Sequence, residues 1–236
     1  PSVGDDITIW LDTNGGVKGT TVFKYGTTCT GTPNCTGMSV ALDTVRIQNF
    51  HTGNMANTDL AACDNDSGTG CGATPETDIG FTANAGVLTT TWATNKILIP
   101  ASTTFAPGGA VVTSDLEVAG TLSSASDVTV NGGDVTGAGT ITHSGGTFLV
   151  DETGSFGGNT AWTFNNLTFG NGSGAATTTT TGSGAITVGA TLTIAANQIL
   201  DAASKTWYID GTGAAFVTTG TFTANASTIS YRNISS

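Results

Sequence analysis

The sequence predicts an all-β protein in two parts. Residues 1–100 read as a disulfide-containing β-sandwich-like domain, and residues 101–236 as a parallel β-helix, a β-solenoid of stacked coils. Two β-sandwich domains are the alternative. Three observations carry this reading. About a fifth of the 236 residues are Thr, a β-branched type that favours strands. There are 34 Gly, which supply the positive-φ positions of tight turns, while helix formers such as Leu, Lys, Glu and Arg are scarce. A phrase of Gly, Thr and an apolar β-former recurs in the second half, at Gly120-Thr121-Leu122, Gly139-Thr140-Ile141, Gly146-Thr147-Phe148 and Gly220-Thr221-Phe222. A looser copy is Gly189-Ala190-Thr191-Leu192.

In chain order, residues 6–11 place Ile7, Ile9 and Leu11 at alternate positions and form the first strand. Asn14, Gly15 and Gly16 turn the chain into residues 20–25, so the two runs read as a hairpin or as neighbouring strands. Residues 39–47 are a third apolar run. The stretch 52–78 is polar, with room for a short helix within 54–63. Residues 86–92 and 96–99 close the first part, and Pro100, Pro107 and Gly108-Gly109 mark the junction.

All four cysteines, Cys29, Cys35, Cys63 and Cys71, fall in this first part. Their even number and loop placement fit disulfides formed in an oxidising compartment, with Cys29 joined to Cys35 and Cys63 to Cys71. Zinc is the competing reading, but the spacing within each pair exceeds that of common zinc knuckles and no His stands in register. Between the second pair, Asp64 and Asp66 alternate on a Gly-rich loop, an oxygen-donor pattern suited to calcium. Pro75 stands where an EF-hand would place its Glu, so a solvated turn is the other reading of these residues.

From about residue 110 the pattern becomes repetitive. Residues 115–122, 127–130 and 186–194 alternate polar and apolar positions, and the repeats return every 15 to 25 residues or so, a solenoid spacing. Inward Val, Ile, Leu and Phe would stack from coil to coil, leaving Thr, Ser, Asn and Asp outside. The phrases at 116–122, 186–194 and 220–224 resemble the Gly/Thr-rich repeats of large bacterial cell-surface and adhesin-like β-solenoid proteins. That resemblance covers residues 110–236, implies a secreted or surface-anchored structural role, and carries over no catalytic residue.

Six basic residues oppose seventeen acidic ones, for a net charge of −11. Such a chain has little with which to displace counterions from nucleic acid, and it is repelled by anionic membrane surfaces. Its longest apolar run, 96–99, ends at Pro100 and is too short to span a bilayer. The start at Pro1 is what removal of an export signal would leave.

Candidate chemistry is sparse. His51 and His143 stand apart from any nucleophile motif, and His143, in a Thr/Ser/Gly turn, is expected at the surface. Asp115, Asp127, Asp134 and Asp151 are spread along the repeats and would serve glycoside hydrolysis only if they converged. Trp162 and Trp207 would form a sugar platform if exposed and core fillers if buried. The run 177–181 reads as an exposed or O-glycosylated threonine tract. Both ends are strand-like, which makes Ile7 and Ile9 at one end and Ile229 and Tyr231 at the other the candidate subunit contacts.

The expectation is a non-enzymatic extracellular or cell-surface structural protein. It would associate with itself as a filament, stalk or layer and hold no cofactor beyond a calcium ion at Asp64 and Asp66. A carbohydrate-binding adhesin module and a β-helical glycan-active enzyme are the alternatives.

Overall fold

A strand that alternates apolar and polar residues has one greasy row and no means of burying it alone. In this chain the rows bury one another. The computed structural model describes residues 1–12, 18–26, 38–61, 77–82, 86–91 and 95–233. It is a β-solenoid of about eight turns.

The chain enters through β1 (Asp6–Asp12) and β2 (Lys18–Lys24). The first turn holds β3 (Thr44–Asn49), a four-residue helix α1 (Asn57–Leu60), β4 (Ile79–Thr82) and β5 (Val87–Thr90). The second holds β6 (Lys96–Ile99), β7 (Thr104–Phe105) and β8 (Val111–Thr113), and the third β9 (Asp115–Val118), β10 (Thr121–Ser124) and β11 (Val128–Val130). Next come β12 (Val135–Gly137) with β13 (Thr140–Val150), β14 (Gly154–Gly158) with β15 (Trp162–Phe169), and β16 (Ala176–Thr180) with β17 (Ile186–Ile194). The chain closes with β18 (Gln198–Asp201), β19 (Thr206–Ile209) and β20 (Phe216–Thr218), then β21 (Thr221–Thr223) and β22 (Thr228–Tyr231).

Each turn lays one strand on a 10-stranded sheet, ordered β1-β2-β3-β6-β9-β12-β14-β16-β18-β21. The rest of the turn joins a 12-stranded sheet running from β4 to β22. That second sheet bends. In the third turn its two arms are separate strands, β10 and β11, whereas β13 spans both arms with a register shift between His143 and Thr147. The pairs β1–β2 and β4–β5 are antiparallel, and the other ladders are parallel. From β6 onward, successive rungs lie 17 to 25 residues apart, as between Val111 and Val128 and between Asn166 and Thr191, whereas Thr44 of β3 and Lys96 of β6 are 52 apart.

The ladder does not pause at residue 100. β3 pairs β6 and β6 pairs β9, so the solenoid begins well before the Gly/Thr phrases do. In place of a sandwich closed on itself, β2, β3, β5 and β6 belong to its first turns. One hydrophobic cluster runs from Val22 to Ala215. Its rows are in register: Leu88, Val111, Val128, Phe148, Leu167 and Leu192 stack on one another, as do Ile97, Leu116, Val135 and Phe156. Phe156 is the hub of the widest layer, edge-to-face with Trp162 at 5.6 Å and with Phe169 at 5.0 Å.

The recurring glycine has a steric cause. A Cβ on Gly139 would lie 2.0 Å from the Gly120 carbonyl oxygen, and one on Gly220 would lie 2.2 Å from that of Ala195. Gly139 turns the chain from β12 into β13 and Gly220 from β20 into β21; at both corners successive coils approach backbone to backbone, and only glycine fits. Gly146 carries the same phrase at the bend of β13, where φ is +61°. One phrase thus marks three different corners of the coil.

Alternation also decides the threonine run. With Ala176 inward, Thr178 and Thr180 must follow it, and both are buried, so only the alternate residues Thr179 and Thr181 of that run are exposed. Gln198 answers Thr178 by donating to its hydroxyl at 3.0 Å.

Candidate functional site

The corner aspartates bond upward to the next coil. Asp115 Oδ1 accepts from the Asp134 N–H at 3.1 Å, and Asp134 Oδ1 accepts from the Ser155 N–H at 2.7 Å. Asp127 Oδ1 accepts from the Thr147 N–H at 2.8 Å, and Asp151 Oδ1 from the Asn171 N–H at 3.2 Å. Strands leave backbone N–H groups unpaired at their turns, and a short carboxylate on the coil below satisfies them with a charge-assisted bond. Of these four carboxylates only Asp115 and Asp134 stand one above the other, and each of the four is engaged as a staple between coils. Asp115 sits partly buried with Asp134 one rung away, and burial first, then that neighbouring charge, pushes its pKa up.

The two tryptophans face inward. Trp162 and Trp207 are both fully buried, and the Trp162 indole donates to the Gly139 carbonyl at 2.9 Å. Neither is a sugar platform.

His143 is also buried, which corrects its expected surface position. It shares the parity of Ile141 in β13 and therefore points into the core. Its Nε2 lies 2.8 Å from the Ser126 carbonyl, its ring packs edge-to-face on Phe148, and its buried Nδ1 has no hydrogen-bond partner among the described residues. Burial lowers its pKa, against the smaller opposing pull of the Ser126 carbonyl and Asp127. Lys205 is a second buried basic side chain that composition hid. Its ammonium donates to the carbonyls of Gly184 at 2.9 Å and Gly158 at 3.4 Å, tying two coils together, and burial lowers its pKa. The signal for both was parity: Lys205, Trp207 and Ile209 alternate on one side of β19.

The N-terminal end gathers a lysine between two carboxylates. Lys24 Nζ lies 2.9 Å from Asp59 Oδ1 and 3.7 Å from Asp6 Oδ1. Asp59 also caps α1 by accepting from the Ala56 N–H at 2.8 Å. Burial, and next the Asp59 charge, push the Asp6 carboxyl up to about 6 despite Lys24. This cluster ties β1, β2 and α1 together over the first turn.

The candidate contact residues lie at opposite ends of the coil. Ile7 and Ile9 are on β1, half-buried and exposed respectively, and β1 bonds only to β2 among the described residues. Ile229 and Tyr231 are on β22, which bonds only to β19 among the described residues. Tyr231 is 45% exposed, and Ile229 is partly buried against the core together with Phe216 and Phe222. The cysteines Cys29, Cys35, Cys63 and Cys71 and the calcium candidates Asp64 and Asp66 lie outside the described residues.

A hydroxyl-lined cleft of about 360 Å³ is formed by Thr89–Thr91, Val112–Ser114 and Asn131. It carries no ionisable group. No helix among the described residues is long and apolar enough to cross a membrane. No family model, no curated protein and no solved structure matches this chain.

Proposed function

We propose that this protein is a structural unit of an extracellular assembly, a surface filament, stalk or layer, that extends through the ends of its coil. The observation that carries this reading is the state of the two ends. At the first turn the core is sealed, with Val22, Leu60 and Ile79 at most 1% exposed. At the last turn Phe216, Phe222 and Ile229 are only partly covered, and β20, β21 and β22 each bond on one side among the described residues.

Both sheets therefore present a strand edge at each end of the same axis: β1 and β4 at one, β21 and β22 at the other. Stacking a second copy head to tail pairs the two sheets of one copy with those of the next. Such a contact is heterologous and does not close, so it propagates. The mechanism is mechanical: parallel ladders, in-register apolar rows and carboxylate staples resist bending, while a surface with few basic groups avoids unwanted partners. Secretion agrees with this role, because an acidic, Lys-poor, Thr-rich exterior suits the outside of a cell.

Electron microscopy with sedimentation over a wide concentration range tests the proposal. Regular fibres or end-to-end oligomers are the expected result. A monomer at every concentration would overturn it. The sugar-platform reading loses its two tryptophans to the core, and the glycan-active reading loses its four corner carboxylates to backbone bonds.

A further inference from the structure

One outer face of the solenoid carries an ordered lattice of hydroxyls. On the first arm of the second sheet, Ser123 pairs with Thr142, Thr142 with Thr163, and Thr163 with Thr187. Beside this row, two residues along each strand, Thr104, Thr121 and Thr140 are paired in the same way. Parallel strands set the spacing between rungs at about 4.8 Å and that between positions i and i+2 at about 6.6 Å. The rows are thus a two-dimensional array.

Three features make the array rigid and selective. The residues between the two rows, Leu122, Ile141, Trp162 and Ile186, point the other way and are at most 1% exposed, so the strands are anchored from beneath. Threonine is stiff at χ1, which fixes hydroxyl and methyl together. No outward position of this patch is charged, although the chain carries −11. The carboxylates Asp115, Asp127 and Asp134 lie at the turns and face the next coil. Where the second row continues, at Ala161 and Ala185, a methyl remains and nothing bulky rises from the plane. The patch ends at Tyr208, over which the Arg232 guanidinium sits at 4.1 Å.

We propose that this face binds an ordered water lattice, the surface of an ice crystal. Its two repeat distances lie close to those between oxygens on ice faces, and rigid hydroxyl and methyl pairs hold water in such an array without the disordering hydration of a charge. A sugar polymer is the less suited partner, because sugar sites rely on aromatic stacking and the aromatic rings beneath this face are buried. A monomer and a filament display the same face, so the proposal stands or falls apart from end-to-end assembly.

The test is ice shaping and thermal hysteresis of the full chain at millimolar concentration in a nanolitre osmometer. The expected result is faceted crystals and a measurable hysteresis gap. Thr142→Tyr and Thr163→Tyr place a bulky ring in the lattice and are expected to reduce the gap at least tenfold. Thr168→Tyr, on the other arm of the same sheet, is expected to leave it unchanged. Circular dichroism and melting of all three variants confirm that each is folded; tyrosine suits an exposed strand position. Round crystals with the unaltered protein overturn the proposal, as does equal loss in Thr168→Tyr. Binding to crystalline cellulose or chitin without any effect on ice overturns it in favour of a glycan.

Discussion

The two ends of this solenoid solve the same problem differently. Every parallel stack has a first row and a last row with no neighbour on one side. At the N-terminal end the chain reverses direction, in β1 against β2 and in β4 against β5, and α1 with Met55 and Leu60 plugs the core. At the C-terminal end the last turn is an ordinary rung, with Phe222 stacked on Leu200 and Ile229 on Trp207, and nothing above either among the described residues. The difference teaches that sealing a solenoid takes residues that break its repeat. A rung that keeps the repeat remains ready to receive another.

That contrast can be broken at its strongest point first. Ile229→Lys places a charge in the proposed end contact, where an unpaired buried charge costs about 3–5 kcal/mol. End-to-end association should weaken by a hundredfold or more, read by sedimentation at a temperature where circular dichroism shows the variant folded. If the variant assembles as the unaltered protein does, the last rung is not the contact.

Phe156→Ala and Phe222→Ala then compare the middle with the end. The first empties the centre of the aromatic layer and should cost about 3–5 kcal/mol in denaturant unfolding. The second removes a ring that is only partly covered and should cost less than half as much. Equal losses would mean that the last turn is as sealed as the middle.

Gly137→Ala and Gly213→Ala sharpen the comparison at the backbone. Gly137 has φ +137° and a Cβ there would meet the Val118 carbonyl at 2.0 Å, whereas Gly213 has φ +70° and open space around it. The first should cost about 3 kcal/mol or more and the second about 1 kcal/mol. Thermal unfolding of the two variants decides it.

The smallest effects are those of pH, and they have opposite signs in the two regions. His143 has its folded pKa lowered, so its contribution is whole above about 6.5 and is lost as acidification protonates the unfolded chain first. Asp6 has its folded pKa raised to about 6, so the folded cap takes up a proton before the unfolded chain does. Acidification from neutral pH through 6 therefore stabilises the cap. Hydrogen exchange at pH 7.5 and pH 5 should show β1 and β2 gaining protection and β13 losing it. His143→Phe should remove the second trend and Asp6→Asn the first; persistence of either trend in its variant would refute that assignment.

Much of this architecture was legible in the residues. Alternation in 115–122 and 186–194 located strands β9, β10 and β17, and the glycine phrase located corners. The short helix within 54–63 is α1, and the hairpin of 6–11 with 20–25 is β1 with β2. What misled was composition taken without parity. The N-terminal hundred residues look different because their sequence carries the cysteines and long polar stretches, yet their described strands β2, β3, β5 and β6 join the same ladders. His143 and the threonine run 177–181 look polar and therefore external. Their neighbours Ile141 and Ala176 set the parity that turns His143, Thr178 and Thr180 inward.

The sequence by itself determined the local events: where strands run, where the backbone must be glycine, and that no basic surface exists. Those follow from sterics and charge within a few residues. Only the tertiary structure decided which turn lies upon which, and with it three further things. It set the carboxylates of Asp115, Asp127 and Asp134 under the N–H groups of the next coil, it aligned the hydroxyls of Ser123, Thr142 and Thr163 into one row, and, among the described residues, it left one end of the core sealed and the other partly covered. Rungs from β6 onward span 17 to 25 residues and differ mainly in loop length, and lengthening a loop costs little free energy. Neighbouring coils are therefore aligned by the in-register burial of their apolar rows, a contact between residues far apart in the chain.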